Sequence, residues 1–354
     1  MNGFVKIISI VLLLALFAGC GGVVQEPEVT AEPIVETAKP TTAPTQAPIV
    51  IETSATAEVT GIPTFTPEPT ATPVPTGLLH GRFAEKFLPE GETRLDETSY
   101  RSDALCIEIS IQYIYSGADF DPSQDTHDKS LDRHRNTCYV VDVYLQDIKL
   151  LKTGSAGDSF AALTTDEVTD IAGKYNALLA VSGDYYAHET KGTVYRNGQL
   201  FRDSFYQYRD SCFLYLDGTV EMASRFDHEG GTLTRDNVWQ AWTFGPILVD
   251  GGEVLPATQY KGYSIATENP RCAFGYFEPG HYCFVIVDGR QRYYSYGMTL
   301  EELAEFMKGL GCVSAFNLDG GESAQLYWNG GIYSKPSDGG RQISDVIYFT
   351  TYGG

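Results

Sequence analysis

Three short polar clusters in this sequence sit beside runs of apolar, strand-forming residues, and each carries side chains able to do chemistry. Ser182-Gly183-Asp184-Tyr185-Tyr186 follows the apolar run 178–181. Asn269-Pro270-Arg271 immediately precedes a run that begins at Cys272. Asn317-Leu318-Asp319-Gly320-Gly321-Glu322-Ser323 follows the run 313–316. Carboxylates can move protons, and a guanidinium grips an anion through paired hydrogen bonds. Glycine neighbours let backbone N–H groups approach a ligand closely. Taken singly, each cluster also fits a plain turn, a strand start or a tight loop.

The elements that must position these clusters are mostly strands. Leu105–Tyr115 and residues 139–145 alternate apolar and polar side chains over much of their length. Asn197-Gly198, Asp217-Gly218 and Asn329-Gly330 each separate two strand-like runs, the signature of a two-residue hairpin. The runs 272–277 and 282–287 flank Glu278-Pro279-Gly280-His281 and predict a further hairpin. Thr164-Thr165-Asp166-Glu167 reads as a capping box before Val168, Ile171 and Ala172 at helical spacing. Thr299-Leu300-Glu301-Glu302 opens a second helix with an apolar stripe of Leu300, Leu303, Ala304, Phe306, Met307 and Leu310. Gly309 and Gly311 can end that helix. Strand, helix and strand in that order lead into Asn317. The expected fold is α+β: strand-rich mixed sheets with two main packed helices in a single catalytic-type domain.

Composition divides the chain into three parts. Residues 1–20 hold Lys6, an apolar run from Ile7 to Ala18, and Leu16-Phe17-Ala18-Gly19-Cys20. That run is too short to span a bilayer, which takes about 20 residues, and fits an export signal. Small residues just before Cys20 resemble the lipobox of bacterial lipoproteins. The implied outcome is cleavage before Cys20, its lipidation, and anchoring on the extracytoplasmic face of the cell membrane. Residues 21–77 hold 10 of the 17 prolines and many threonines, so they read as a semi-stiff disordered stalk. Residues 78–354 carry all three Trp and all 23 Tyr and form the expected globular part. With 46 acidic residues against 25 Lys and Arg, generic nucleic-acid binding is disfavoured.

Read together, the clusters and their flanks resemble the phosphodiester glycosidase family. The matching pieces are Leu179-Ala180-Val181-Ser182-Gly183-Asp184-Tyr185-Tyr186, Arg196-Asn197-Gly198, Phe244-Gly245-Pro246-Ile247-Leu248-Val249, Asn269-Pro270-Arg271 and Val287-Asp288-Gly289-Arg290. They continue with Gly297-Met298-Thr299-Leu300-Glu301-Glu302-Leu303-Ala304, Asn317-Leu318-Asp319-Gly320-Gly321 and Ile343-Ser344-Asp345-Val346-Ile347. The pieces keep family order from Tyr139 to Tyr348. The resemblance implies hydrolysis of a sugar-1-phosphodiester or related envelope glycan linkage. Glycoside hydrolysis generally uses two carboxylates, here Asp184 and Asp319. Arg271 is implied to hold the phosphate, with Gly320 and Gly321 offering backbone N–H groups. Asn269 and Asn317 are implied to orient sugar hydroxyls or the carboxylates, with Ser182, Glu322 and Ser323 completing the binding set. Four motif positions differ from the usual family pattern: Ser182 replaces an Asn, Cys272 a Thr, Glu322 a Gly and Ala324 a Ser. A changed substrate, a metal requirement and lost turnover follow as alternatives, the last leaving a carbohydrate-binding envelope lipoprotein.

Other groupings rank below these. Asp121, Asp125, His127 and Asp128 form an acidic loop without the glycine and glutamate of an EF-hand. No motif marks a cofactor, and a divalent cation such as calcium stays open. Gly262-Tyr263-Ser264-Ile265-Ala266 half matches a nucleophile elbow. Phe205, Tyr206 and Tyr208 suit a sugar platform or core packing equally. Six cysteines follow Cys20, and sequence alone does not choose among their 15 pairings.

Overall fold

A computed structural model describes residues 77–79, 82–115, 135–226, 235–256 and 267–351, all within the compact unit Pro69–Gly354. The signal segment with Cys20, the stalk up to residue 76, the acidic loop at Asp121, Asp125, His127 and Asp128, and residues 262–266 lie outside the described residues.

Three sheets carry the unit. A nine-stranded sheet runs in the order Arg94–Leu95, Ser99–Arg101, Leu105–Tyr115, Arg135–Leu145, His281–Val287, Arg271–Glu278, Ser314–Leu318, Ile247–Asp250, Glu253–Val254. A five-stranded sheet runs Val220–Ala223, Asp210–Tyr215, Val238–Phe244, Val194–Arg196, Gln199–Arg202. A second five-stranded sheet runs Gly331–Ile332, Leu326–Trp328, Leu179–Ser182, Asp345–Phe349, Lys152–Ser155. Two α-helices, α1 (Val168–Lys174) and α2 (Leu300–Gly309), complete the regular structure among the described residues.

Every pairing among the described strands is antiparallel, where mixed sheets were expected. The reason lies in the strand–helix–strand unit. The chain leaves His281–Val287, passes through α2, and re-enters the sheet at Ser314–Leu318. It skips one position, and Arg271–Glu278 fills the gap antiparallel to both neighbours. The same arrangement sets the start of Arg271–Glu278 beside the end of Ser314–Leu318, with Cys272 opposite Leu318.

The layers follow from side-chain alternation. On one face Phe274, Phe284 and Phe316 stand in register and pack with Val181, Ile347 and Phe349 of the second five-stranded sheet. Each is fully buried, and burying a side chain of that size contributes about 1.5–3 kcal/mol. On the other face Ala273, Val285 and Ala315 meet Leu300, Leu303 and Met307 of α2. The smaller α1 covers the far side of the second five-stranded sheet through Val168, Ile171 and Ala172.

The α2 capping box forms as read: Thr299 Oγ1 accepts from the Glu302 N–H at 3.2 Å and Glu302 Oε2 accepts from the Thr299 N–H at 2.9 Å. The first helix starts later than its Thr-Thr-Asp-Glu signal suggested. Residue 167 is its N-cap and makes no side-chain cap bond, because Asp166 pairs through its backbone with Ile343 instead. The Asn197-Gly198 and Asn329-Gly330 hairpins both hold left-handed φ angles at both turn residues.

Candidate active site

The three polar clusters converge where the nine-stranded sheet packs on the second five-stranded sheet. The Asp319 N–H donates to the Gly183 carbonyl at 3.2 Å, and the Gly321 N–H to the Pro270 carbonyl at 2.9 Å. Ser182 Oγ donates to the Ser323 carbonyl, and Cys272 Sγ to the Ser182 carbonyl at 3.7 Å. Two glycines make the approach possible. A Cβ on Gly320 would lie 2.8 Å from the Pro270 carbonyl oxygen, and one on Gly183 would lie 2.4 Å from Asp345 Oδ1.

The junction opens into a cleft of about 340 Å³. Its walls include Asn269, Arg271, Asn317, Asp319, Gly320, Gly321 and Glu322 from the sequence reading. They also include five residues given no site role by the sequence: Arg209, Phe244, Arg290, Leu300 and Arg341. Four arginines thus face one small cleft.

Each has a visible anchor. Arg271 is only 7% exposed and is held by the Met298 carbonyl at 2.8 Å and the Thr267 carbonyl at 3.2 Å. Burial, and then the charge of Arg290, pull its guanidinium down to about 10. Arg290 lies in a left-handed turn residue and donates to Asn269 Oδ1 at 3.0 and 3.2 Å. The turn bearing it is fixed by buried Asp288, whose carboxylate receives Tyr294 Oη at 2.8 Å, Tyr139 Oη at 3.1 Å and the Lys335 N–H at 3.2 Å. Burial pushes Asp288 up to about 6 against those bonds. Arg209 lies 5.0 Å over the Phe244 ring and 3.6 Å from Glu189.

Arg341 reaches the Asp319 carboxylate directly. Its Nη2 donates to Asp319 Oδ2 at 2.9 Å and its Nε to Ser323 Oγ at 2.5 Å. Its guanidinium lies 5.3 Å over the Tyr185 ring. Asp319 is 8% exposed, and burial lifts its carboxyl above the usual range, with Asp184 adding to the lift. Arg341 and Ser323 pull the other way. Asn317 Nδ2 donates to the Gly245 carbonyl at 2.9 Å, while its buried Oδ1 has no partner among the described residues. Among the described residues no cluster of three or more His, Cys, Asp or Glu is placed to hold a metal ion.

A family model for phosphodiester glycosidases matches residues 175–350, the stretch that supplies every cleft side chain named above. That stretch is a phosphodiester glycosidase domain. The family is one of hydrolases acting on glycosidic linkages. The N-acetylglucosamine-1-phosphodiester alpha-N-acetylglucosaminidase of Mus musculus is 40% identical over 226 residues, which are 57% of this chain and 43% of that protein. The SPbeta prophage-derived uncharacterized protein YomE of Bacillus subtilis (strain 168) is 25% identical over 194 residues, 53% of this chain and 30% of its own length. The chain therefore spans less than half of either relative. Among solved structures, the catalytic domain of zebrafish N-acetylglucosamine-1-phosphodiester alpha-N-acetylglucosaminidase, auto-inhibited by its pro-peptide, has a TM-score of 0.55 at 23% identity and covers 73% of this chain and 87% of that one. A hypothetical protein from Synechocystis has a TM-score of 0.50 at 13% identity, covering 70% and 62%. At these identities the likeness is one of fold.

Within the phosphodiester glycosidase domain, three residues of the sequence reading stand behind the cleft wall. Ser182 and Ser323 tie the loops together there. Asp184 is the third, and its side chain is fully buried. Its Oδ1 receives Arg196 Nη2 at 2.6 Å and the Tyr186 N–H at 3.2 Å, and its Oδ2 the Thr243 N–H at 2.9 Å. Arg196 in turn holds Asp345 Oδ2 through Nε at 3.0 Å. The structure thus brings Asp319 and Arg271 into one cleft and leaves Asp184 in the core behind it, near enough for its charge to act on Asp319. Gly321 lines the cleft, but its N–H already donates to Pro270. Phe205 packs in the core of the first five-stranded sheet, and neither it nor Tyr206 and Tyr208 lines the cleft.

Proposed function

We propose that this chain hydrolyses a sugar-1-phosphodiester, or a related envelope glycan linkage, at the bond between the anomeric carbon and the phosphate oxygen. The observation that carries the reading is Asp319 and Arg271 in one cleft faced by four arginines, in a chain whose acids exceed its bases by 21. A guanidinium pairs two N–H groups with two phosphate oxygens, and Arg271 is the most deeply set of the four. The leaving phosphomonoester is a stable anion, so its departure needs little proton donation. The harder task is activating water. A carboxylate lifted by burial is a stronger base than an exposed one, closer to the operating pH. Asp319 takes the proton as the water oxygen bonds to the anomeric carbon, and the phosphomonoester leaves with the bonding electrons. Asn317 Oδ1 accepts a sugar hydroxyl. Asp184 acts as a positioning residue whose charge helps lift Asp319.

In this reading residues 1–20 direct export, Cys20 carries the lipid anchor, and residues 21–77 are the stalk, so the domain works on the extracytoplasmic face. The Lys6 start, the apolar run and the small residues before Cys20 support it. The test is release of free sugar and phosphomonoester from a synthetic sugar-1-phosphodiester by the full chain. Binding of the diester without release favours a carbohydrate-binding lipoprotein, a reading to which the withdrawal of Asp184 into the core lends weight. Neither binding nor release overturns both.

Arg341 supplies a prediction with a definite sign. It is the largest influence holding Asp319 down against burial. Arg341→Gln is therefore expected to raise Asp319 further. A base must be ionised to work, so the acidic limb of the pH–rate profile should move to higher pH. A limb that stays in place or moves lower contradicts Asp319 as the ionised base.

A further inference from the structure

Six cysteines lie among the described residues, all buried and all present as thiols. Two of them meet. Cys283, in the middle of the strand His281–Val287, and Cys312, in the turn between α2 and Ser314–Leu318, have their Sγ atoms 3.8 Å apart. Both pack in the layer between α2 and the nine-stranded sheet, with Met307 beside them. We infer that Cys283 and Cys312 are a disulfide site, closed when the chain folds in the presence of a small-molecule disulfide oxidant.

The local geometry is arranged for it. A sulfur–sulfur bond is about 2 Å long, so the two sulfurs must approach further, and space is what they need. Gly275 provides it. It pairs with Cys283 on one side and Ala315 on the other, and a Cβ there would lie 2.6 Å from Cys283 Sγ and 2.7 Å from Cys312 Sγ. The sulfurs therefore occupy the room that a side chain at 275 would take. The two cysteines are 29 residues apart in sequence. The bond would close a loop holding the end of His281–Val287, the Arg290 turn and all of α2, and so would tether the cleft's Arg290 and Leu300 from behind.

The chemistry balances. A thiolate of one cysteine attacks a sulfur of the oxidant, breaks its S–S bond and releases one small thiol. The second cysteine's thiolate then attacks the mixed disulfide, forms the Cys283–Cys312 bond and releases the second small thiol. Two protons leave the protein, and two electrons reduce the oxidant. Cys283 is 1% and Cys312 2% exposed, so the exchange belongs to folding, before α2 seats on the sheet.

The full chain is refolded in a buffer of oxidised and reduced glutathione, free thiols are blocked, and peptides are mapped without reduction. The expected product is one peptide pair linking Cys283 to Cys312, lighter by two hydrogens than the separate peptides. Its unfolded-to-folded ratio in denaturant should fall roughly four-hundred-fold against the reduced protein, the entropic effect of closing such a loop. A wild-type chain in which both cysteines are fully alkylated, or in which either is linked to a different cysteine, overturns the inference. The Cys283→Ala and Cys312→Ala variants provide the internal check: each should lose the stabilisation in oxidised buffer, while changing little under reduction.

Discussion

Turnover of a sugar-1-phosphodiester by the Asp319→Asn protein is expected to fall about a thousand-fold in kcat, the middle of the range for a positioned acid–base group. The amide keeps the size of the carboxyl and can still accept from Arg341 Nη2, which lies 2.9 Å from Oδ2 in the native chain. It cannot take a proton from water. The substitution also separates chemistry from stability. Burial disfavours the charged form of Asp319, and a neutral amide in the same place lowers the desolvation cost. Arg341 loses its carboxylate but is partly exposed and keeps Ser323. The thermal midpoint should therefore stay unchanged or rise while kcat collapses. KM should move only several-fold, because Arg271 and Asn317 still hold the diester. A variant that keeps kcat within about tenfold of the native value removes Asp319 from the chemistry.

What sequence could and could not show about this cleft follows from how far apart its parts lie along the chain. The strand boundaries at residues 182, 271 and 318 were legible, because apolar runs stop or start there against glycine, proline and amide residues. The α2 capping box was legible because it is a local contest between one hydroxyl, one carboxylate and nearby N–H groups. Arg290, Leu300 and Phe244 each lay within a stretch that resembled the family, yet nothing local said their side chains turn inward. Arg209 and Arg341 had no signal at all. They reach the cleft through loops whose placement depends on distant partners: Arg341 on Glu322 and Gln325, Arg209 on Glu189 and Phe244. The antiparallel sheets were hidden for the same reason. A strand–helix–strand run leaves open whether the two strands are neighbours or flank a third. The position of Asp184 was the least accessible, since a Gly-Asp-Tyr-Tyr segment reads alike whether its carboxylate points at solvent or at a buried arginine.

That arginine carries the largest stability effect. Arg196 is fully buried and serves two carboxylates, Asp184 at 2.6 Å and Asp345 at 3.0 Å. It also donates to the Tyr195 carbonyl at 3.1 Å and to the Ala241 carbonyl. Arg196→Met keeps much of the volume but leaves two buried carboxylates without their cation. Removing one partner of a buried ion pair costs about 3–5 kcal/mol, a fall in Tm on the order of 10 °C for a unit of this size. The pH dependence gives the mechanism away. Burial, with Asp184 nearby, already raises Asp345, and Arg196 is what pulls it down. A carboxyl raised in the folded state stabilises below its unfolded pKa and loses that contribution as pH climbs through its folded value. Without Arg196 the folded value rises beyond the native one of about 8, so the deficit of the variant should stay level up to about pH 8 and grow above it. Asp184→Asn removes one charge of three and leaves Arg196 paired with Asp345. It should cost less stability than Arg196→Met and flatten the native pH dependence. A deficit in Arg196→Met that does not change with pH shows that packing, not charge, holds the cluster. Loss of turnover in Asp184→Asn at undiminished stability and native pH dependence assigns Asp184 to the chemistry itself.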